Sequence, residues 1–185
     1  MQQTIWLLTH ETELHKATNT GQLVVDMFDT IANATNINVR VVVWSRVNMD
    51  PSLLQALKEP CLLVYPAEDA ISLDVSRLDK HLLEGNLNEE DESLLQLDFS
   101  QFKHLMLLDA TWQLARKMYN QSPYLKTLPK IQLAGAAPST YSLRRNQLQI
   151  GWCTAEVVIM LLTLIKKPNA ARLLQEQYAV FNRRG

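Results

Sequence analysis

Short apolar runs and longer stretches with helical spacing alternate along this chain. Ile5–Thr9 (IWLLT), Cys61–Tyr65 (CLLVY) and His104–Leu108 (HLMLL) are too short for buried helices and read as buried strands, and the β-branched run Asn38–Ser45 (NVRVVVWS) is a clearer strand. Between the first two strands, Leu23, Val24, Met27, Phe28 and Ile31 recur at helical spacing within 21–34. Asp50-Pro51 is a cap followed by a first-turn proline, opening a short helix through Leu57. His104–Leu108 runs into a helix from about Thr111 to Tyr119, and 130–134 can form another strand. Thr154–Lys167 is an apolar helix whose two terminal lysines suit its negative end. Asn169 is expected to cap a last helix with Leu173, Leu174, Tyr178 and Phe181 on one face. Strands alternating with helices predict an α/β fold, a mainly parallel sheet flanked by helices. At 185 residues and 47% hydrophobic, the chain suits a single domain over 1–185 with a sizeable core.

The formal charge of -1 conceals a split. Residues 1–100 carry 6 Lys/Arg against 16 Asp/Glu, a net of -10, whereas residues 101–185 carry 12 against 3, a net of +9. Such asymmetry points to a polyanion-binding surface built mainly from the second half. The longest apolar run, Val157–Ile165, falls well short of the ~20 residues a membrane crossing needs. The start, Met1-Gln2-Gln3-Thr4-Ile5, lacks a signal peptide's basic and apolar regions, so a cytoplasmic protein is expected. Cys61 and Cys153, each beside apolar residues, read as buried core thiols. The stretch 86–93 (NLNEEDES) reads as an exposed acidic loop or an incipient helix start.

Ligands of open parallel sheets bind beyond the carboxyl ends of strands. Three segments fall there: 65–70 (YPAEDA), Leu107–Trp112 (LLDATW) and the polar loop 138–145 (PSTYSLRR). Asp109, at a strand's end with a helix starting two residues on, is the most informative residue. It reads equally as a fixed, ionised carboxylate and as a routine cap of that helix. Trp112 shares neighbouring helix faces with Ala115 and Met118, where a place in the core is the ordinary outcome. Arg116 and Lys117, with Arg144 and Arg145 in the loop, are candidates for phosphates or a carboxylate, against the competing account of solvated surface charge. His10-Glu11-Thr12-Glu13-Leu14-His15 departs from the zinc-protease H-E-x-x-H, because the second histidine comes at i+5 and turns off the first one's face. With five glycines and no glycine-rich motif, the chain has neither a Rossmann fingerprint nor a Walker loop, and no metal cluster is visible.

The run Leu107–Met118 (LLDATWQLARKM) resembles the signature of the DTW-domain family, roughly L-D-x-T-W-x-x-A-R-K-M. Other segments agree in order: His10 and Glu13 followed by Thr18-Asn19-Thr20-Gly21, then Tyr65-Pro66, then Pro138-Ser139-x-Tyr141-x-x-Arg144, then Cys153-Thr154-Ala155-Glu156, which resembles S-T-x-E-A. Ala110, Cys153 and Val157 replace the family's usual Gly, Ser and Ala, and the sequence reads as a compact member without the cysteine-rich N-terminal segment of many longer ones. The resemblance implies a SPOUT-like fold with scope for a C-terminal knot. It also implies transfer of the 3-amino-3-carboxypropyl group of S-adenosylmethionine to N3 of a tRNA uridine, releasing 5'-methylthioadenosine. On this reading Asp109 is the catalytic base. Tyr65, Pro66, Thr111, Trp112, Ser139, Tyr141, Arg144, Thr154 and Glu156 bind the donor, Arg144 gripping its carboxylate. Arg116, Lys117 and Arg145 contact tRNA phosphates. A sulfonium leaving group needs no metal, so none is expected. The alternatives are a SPOUT-type RNA methyltransferase and a non-catalytic RNA-binding domain. Either monomer or homodimer is expected. Leu161, Leu164, Leu173 and Leu174 suit a dimer face or an ordinary core equally.

Overall fold

A computed structural model describes residues 2–76, 97–135, 139–140 and 151–183. Six strands form one sheet in the order β2-β1-β5-β3-β6-β4. They are β1 (Gln3–Thr9), β2 (Ile37–Val43), β3 (Cys61–Val64), β4 (Ile71–Asp74), β5 (His104–Asp109) and β6 (Lys130–Ala134). The pairings β1–β2, β1–β5, β3–β5 and β3–β6 are all parallel. The helices are α1 (Thr20–Thr35), α2 (Pro51–Ala56), α3 (Trp112–Gln121), α4 (Pro123–Lys126), α5 (Thr154–Leu164) and α6 (Pro168–Asn182). The α/β architecture expected from the sequence is therefore observed. The stretch 86–93, read from the sequence as an acidic loop or helix start, and residues 141–150 lie outside the described residues.

Strand alternation sends the residues of β1 to opposite faces. Trp6 and Leu8 join Val42, Leu63 and Met106 in a cluster closed by Leu53 and Ala56 of α2, Met118 of α3 and Leu125 of α4. Ile5, Leu7, Leu105 and Leu107 are equally buried and point the other way. Val24, Met27 and Phe28 of α1 are buried outside that cluster. This division follows from handedness: β1-α1-β2 and β2-α2-β3 move across the sheet in opposite directions, and right-handed crossovers then put α1 and α2 on opposite faces. The chain leaves β1 toward β2 but leaves β5 toward β6, in the other direction. The carboxyl ends of β1 and β5 thus flank the sheet's topological switch point, where α/β proteins form a crevice for ligands.

By internal contacts the chain divides into two units, Met1–Ile71 with Ser100–Gln132, and Ser72–Phe99 with Leu133–Gly185. Within the second, α5 is nearly all buried and packs on α6. Leu161, Leu164 and Leu174 are core residues of the chain itself, and Leu173 is 37% exposed. Two expectations for this region are corrected. The apolar helix stops at Leu164, before the lysines, and Lys166 adopts a left-handed conformation at φ 59°. The N–H groups of Lys166 and Lys167 then reach back to the carbonyls of Thr163 and Leu162, a Schellman closure with lysine where glycine is usual. The last helix starts with Pro168 at its first turn and Lys167 as the residue before it, so Asn169 lies inside the helix and is not its cap. Strand β4 had no counterpart in the sequence reading. Both cysteines are buried, and burial pushes the Cys61 thiol up to about 11.

Candidate functional site at the strand carboxyl ends

Asp109 closes β5 and is 4% exposed. Register sets it opposite Thr9 of β1, and the Thr9 hydroxyl donates to Asp109 Oδ2 at 3.0 Å. Both residues continue the Ile5/Leu7 and Leu105/Leu107 series, so they face the α1 side. There the carboxylate lies against Gly21 in the first turn of α1: a Cβ on that residue would stand 2.5 Å from Asp109 Oδ2. The positive end of a sixteen-residue helix favours negative charge at this place. The competing reading of Asp109, as a cap of the following helix, is not what the structure shows. Thr111 caps α3, its Oγ1 accepting from the N–H of Leu114 at 3.4 Å.

The loop from β1 to α1 is folded by its own polar groups. His10 begins a single 3-10 turn, with Nδ1 accepting from the Thr12 N–H. Glu13, buried, pairs with Lys16 at 2.8 Å. Asn19 donates to the Glu13 carbonyl and accepts from the N–H of Gly21, capping α1. These bonds carry the start of α1 back over Asp109. His10 also donates its backbone N–H to the Asp109 carbonyl. Its ring stacks on Trp44, with centroids 5.9 Å apart, and the Trp44 indole N–H donates to Ser122 Oγ at 2.8 Å.

An aromatic stack lies at the ends of β3 and the start of α3. Tyr65 is buried between Tyr119, at 4.3 Å between centroids, and Trp112, at 5.9 Å and 17°. Burial raises the Tyr65 phenol above its ordinary range, the nearby Arg116 charge partly offsetting this, so the ring stays a neutral hydroxyl. Trp112 is 54% exposed. The ordinary expectation for it, a place in the core beside Ala115 and Met118, is corrected: those two are buried and Trp112 is not. Its backing by Tyr65 leaves an indole face open to solvent. Arg116, one turn on, and Lys117 are exposed, and Pro66 is exposed in the segment after β3.

In the other unit, Glu156 at the third position of α5 accepts five hydrogen bonds from described residues. Its Oε2 accepts from Ser139 Oγ at 2.7 Å and the Cys153 N–H at 2.8 Å. Its Oε1 accepts from the Thr140 N–H and hydroxyl and, at 3.0 Å, from the Tyr178 hydroxyl. Desolvation foremost, with the neighbouring Cys153 and Glu156, pushes the Tyr178 phenol up and keeps it a donor. Ser139 and Glu156 are thus brought together, and Thr154 is buried beside them at the helix start. Tyr141, Arg144 and Arg145 lie outside the described residues.

Sequence reasoning singled out Asp109, Tyr65 and Trp112 but not Thr9, Tyr119 or Trp44. The first is a common residue at a strand end, and only the β1–β5 register makes it a partner of Asp109. Among the described residues no group of three or more His, Cys, Asp or Glu is placed to hold a metal ion, and no described helix is long and apolar enough to cross a membrane. No solved structure matches the chain. The sequence profile of the DTW domain matches residues 1–184. The chain therefore belongs to the DTW-domain family, which is associated with tRNA-modifying enzymes.

Proposed function

We propose that the protein is an S-adenosylmethionine-dependent tRNA-uridine aminocarboxypropyltransferase. The observation that carries the reading is a buried carboxylate, Asp109, at the carboxyl end of β5, followed at the start of the next helix by an exposed, tyrosine-backed indole, Trp112. Membership of the DTW-domain family adds the substrate class. An open indole face fits a nucleoside, because stacking on a flat base is worth about 1–3 kcal/mol and is indifferent to base identity. Trp112, with Tyr65 and Tyr119 behind it, offers that surface to the donor's adenine.

In the reaction, a bond forms between uridine N3 and the donor's γ carbon while that carbon's bond to sulfur breaks. The electron pair stays on sulfur as neutral 5'-methylthioadenosine. Asp109 receives the N3 proton, a role that needs a carboxylate held in one place. Thr9 and Gly21 hold it there. Ser139, Thr154 and Glu156 serve the donor side, Glu156 by fixing residues 139–140 through its hydrogen bonds. Tyr141 and Arg144 complete that side, Arg144 on the donor carboxylate. Arg116, Lys117 and Arg145 meet tRNA phosphates.

Incubation of the protein with bulk tRNA and donor labelled in either the carboxyl or the methyl carbon is expected to transfer the carboxyl label alone. Transfer of the methyl label alone would establish methyl transfer instead. Transfer of neither, with tRNA bound, would leave an RNA-binding domain. Asp109→Asn should abolish transfer while leaving tRNA affinity intact.

A further inference from the structure

We infer that Lys130 is a positioning residue for the donor site: through Asp69, its buried ammonium pins the segment 65–70 where Tyr65 and Pro66 meet the donor; this rests on the donor-binding reading above. Lys130 opens β6 and is 4% exposed. Its Nζ donates to Asp69 Oδ2 at 2.7 Å and to the carbonyls of Lys126 and Leu128 at 2.9 and 2.8 Å. All three ammonium hydrogens are thereby engaged. The two carbonyls belong to the end of α4 and the turn that follows it, an ordinary place for a lysine to act. The carboxylate comes from much further off, 61 residues back along the chain, in the segment that follows β3.

Register sets the pair on the same face of the sheet as the aromatic stack. Lys130 lies opposite Leu63 of β3, so its side chain leaves the sheet on the face of Leu63. Tyr65, two residues on, belongs to that face as well, in the cluster with Leu63, Met118 and Leu125, and stacks there on Tyr119 and Trp112. The segment is tied to β6 twice. The Tyr65 N–H donates to the Ile131 carbonyl at 2.9 Å, and Asp69 holds the ammonium of the residue before it. Between these ties the Ala67 N–H donates to the Tyr65 carbonyl and the Ala70 N–H to the Ala67 carbonyl. A buried ion pair is a poor source of stability, because desolvation offsets its attraction. What this one adds is a single path for 65–70. A turn ordered before the donor arrives relieves the binding step of the entropy of ordering it.

The test uses the full chain and calorimetry with S-adenosylmethionine. Lys130→Met keeps an unbranched side chain in the buried place and removes the tie. Donor affinity is expected to fall about tenfold, the effect of ordering roughly one more residue on binding, with the melting temperature and kcat at saturating donor unchanged. Asp69→Ala breaks the same tie from its exposed end, without touching the interior, and should give the same loss. Asp69→Glu, which keeps the charge, should bind more tightly than Asp69→Ala. Hydrogen exchange supplies a readout independent of turnover. In Lys130→Met the amides of Ala67 and Ala70 should lose protection while those of β3 and β5 keep theirs, and added donor should restore it. Wild-type donor affinity in both Lys130→Met and Asp69→Ala overturns the proposal, as does a loss of affinity that tracks a lowered melting temperature. If the wild-type protein binds the donor but transfers no carboxyl label, the aminocarboxypropyl reading fails by itself and the role of Lys130 stands on the affinities. If the wild-type protein binds no donor, both fail.

Discussion

At the scale of single residues, the tightest constraint is the contact between Gly21 and Asp109. Alanine is the better helix former by about 0.8–1.0 kcal/mol, so Gly21→Ala would be stabilising in an open helix. Here its Cβ would stand 2.5 Å from a carboxylate oxygen that Thr9 also holds, and overpacking of this kind costs about 1–3 kcal/mol. The steric cost wins, so Gly21→Ala is expected to lower the urea midpoint, and Asp109→Ala added to it should recover stability rather than add to the loss. Buried His104 supplies a pH prediction. Its Nδ1 accepts the Trp6 indole N–H at 3.0 Å. Burial lowers its folded pKa, and Glu59, 3.5 Å from Nε2, opposes that shift without reversing it. Because the folded value lies below the unfolded one, the unfolded state binds the proton more readily. Stability from this group is therefore complete above about pH 6.5 and is lost as pH falls toward the folded value. Urea midpoints between pH 7.5 and 5.5 should fall in the wild type and fall less in His104→Gln.

At the scale of elements, caps and closures explain where helices stop better than hydrophobic spacing does. Lys166 closes α5 in a left-handed conformation, which costs a residue with a Cβ roughly 1–2 kcal/mol relative to the right-handed one. Lys166→Gly is expected to raise stability by about 1 kcal/mol, since glycine meets no such cost and closes Schellman turns readily. An unchanged or lowered denaturation midpoint would show that the lysine side chain contributes something that outweighs its strain. Glu156 illustrates the same point from the other end of α5. Its side chain accepts from the Cys153 N–H as a capping-box residue does, and it also fastens residues 139–140 and Tyr178. One carboxylate both starts a helix and positions residues 139–140, so the role proposed for Glu156 is that of a positioning group.

At the scale of the whole molecule, the charge split makes a prediction about binding. Residues 101–185 carry the net +9, and Arg116 and Lys117 in that half are exposed beside Trp112. Binding of tRNA is expected to weaken steeply with salt, with a log–log slope reporting the number of phosphates neutralised. Arg116→Ala and Lys117→Ala should each reduce that slope by about one. A slope near zero would remove the basic half from the interface.

Much of the architecture was legible in the sequence because local signals and burial agree there. Among the described residues, five of the six strands and the longer helices fall where apolar runs and helical spacing place them, and Asp50 caps α2 as its Asp-Pro pair suggests. Strand β4 escaped because Ile71–Asp74 has only one buried residue and no apolar run. Of the candidate site, the sequence singled out Asp109 at a strand end, Tyr65 after another and Trp112 at a helix start. It did not determine their company. Thr9 meets Asp109 across a hundred residues, and Trp112 is exposed while its helical neighbours are buried. Periodicity is a property of one segment, whereas partnership depends on which strands lie side by side and on which face each residue falls. The tertiary structure alone fixed those, through the β1–β5 register and the opposite directions in which the chain leaves the two strands.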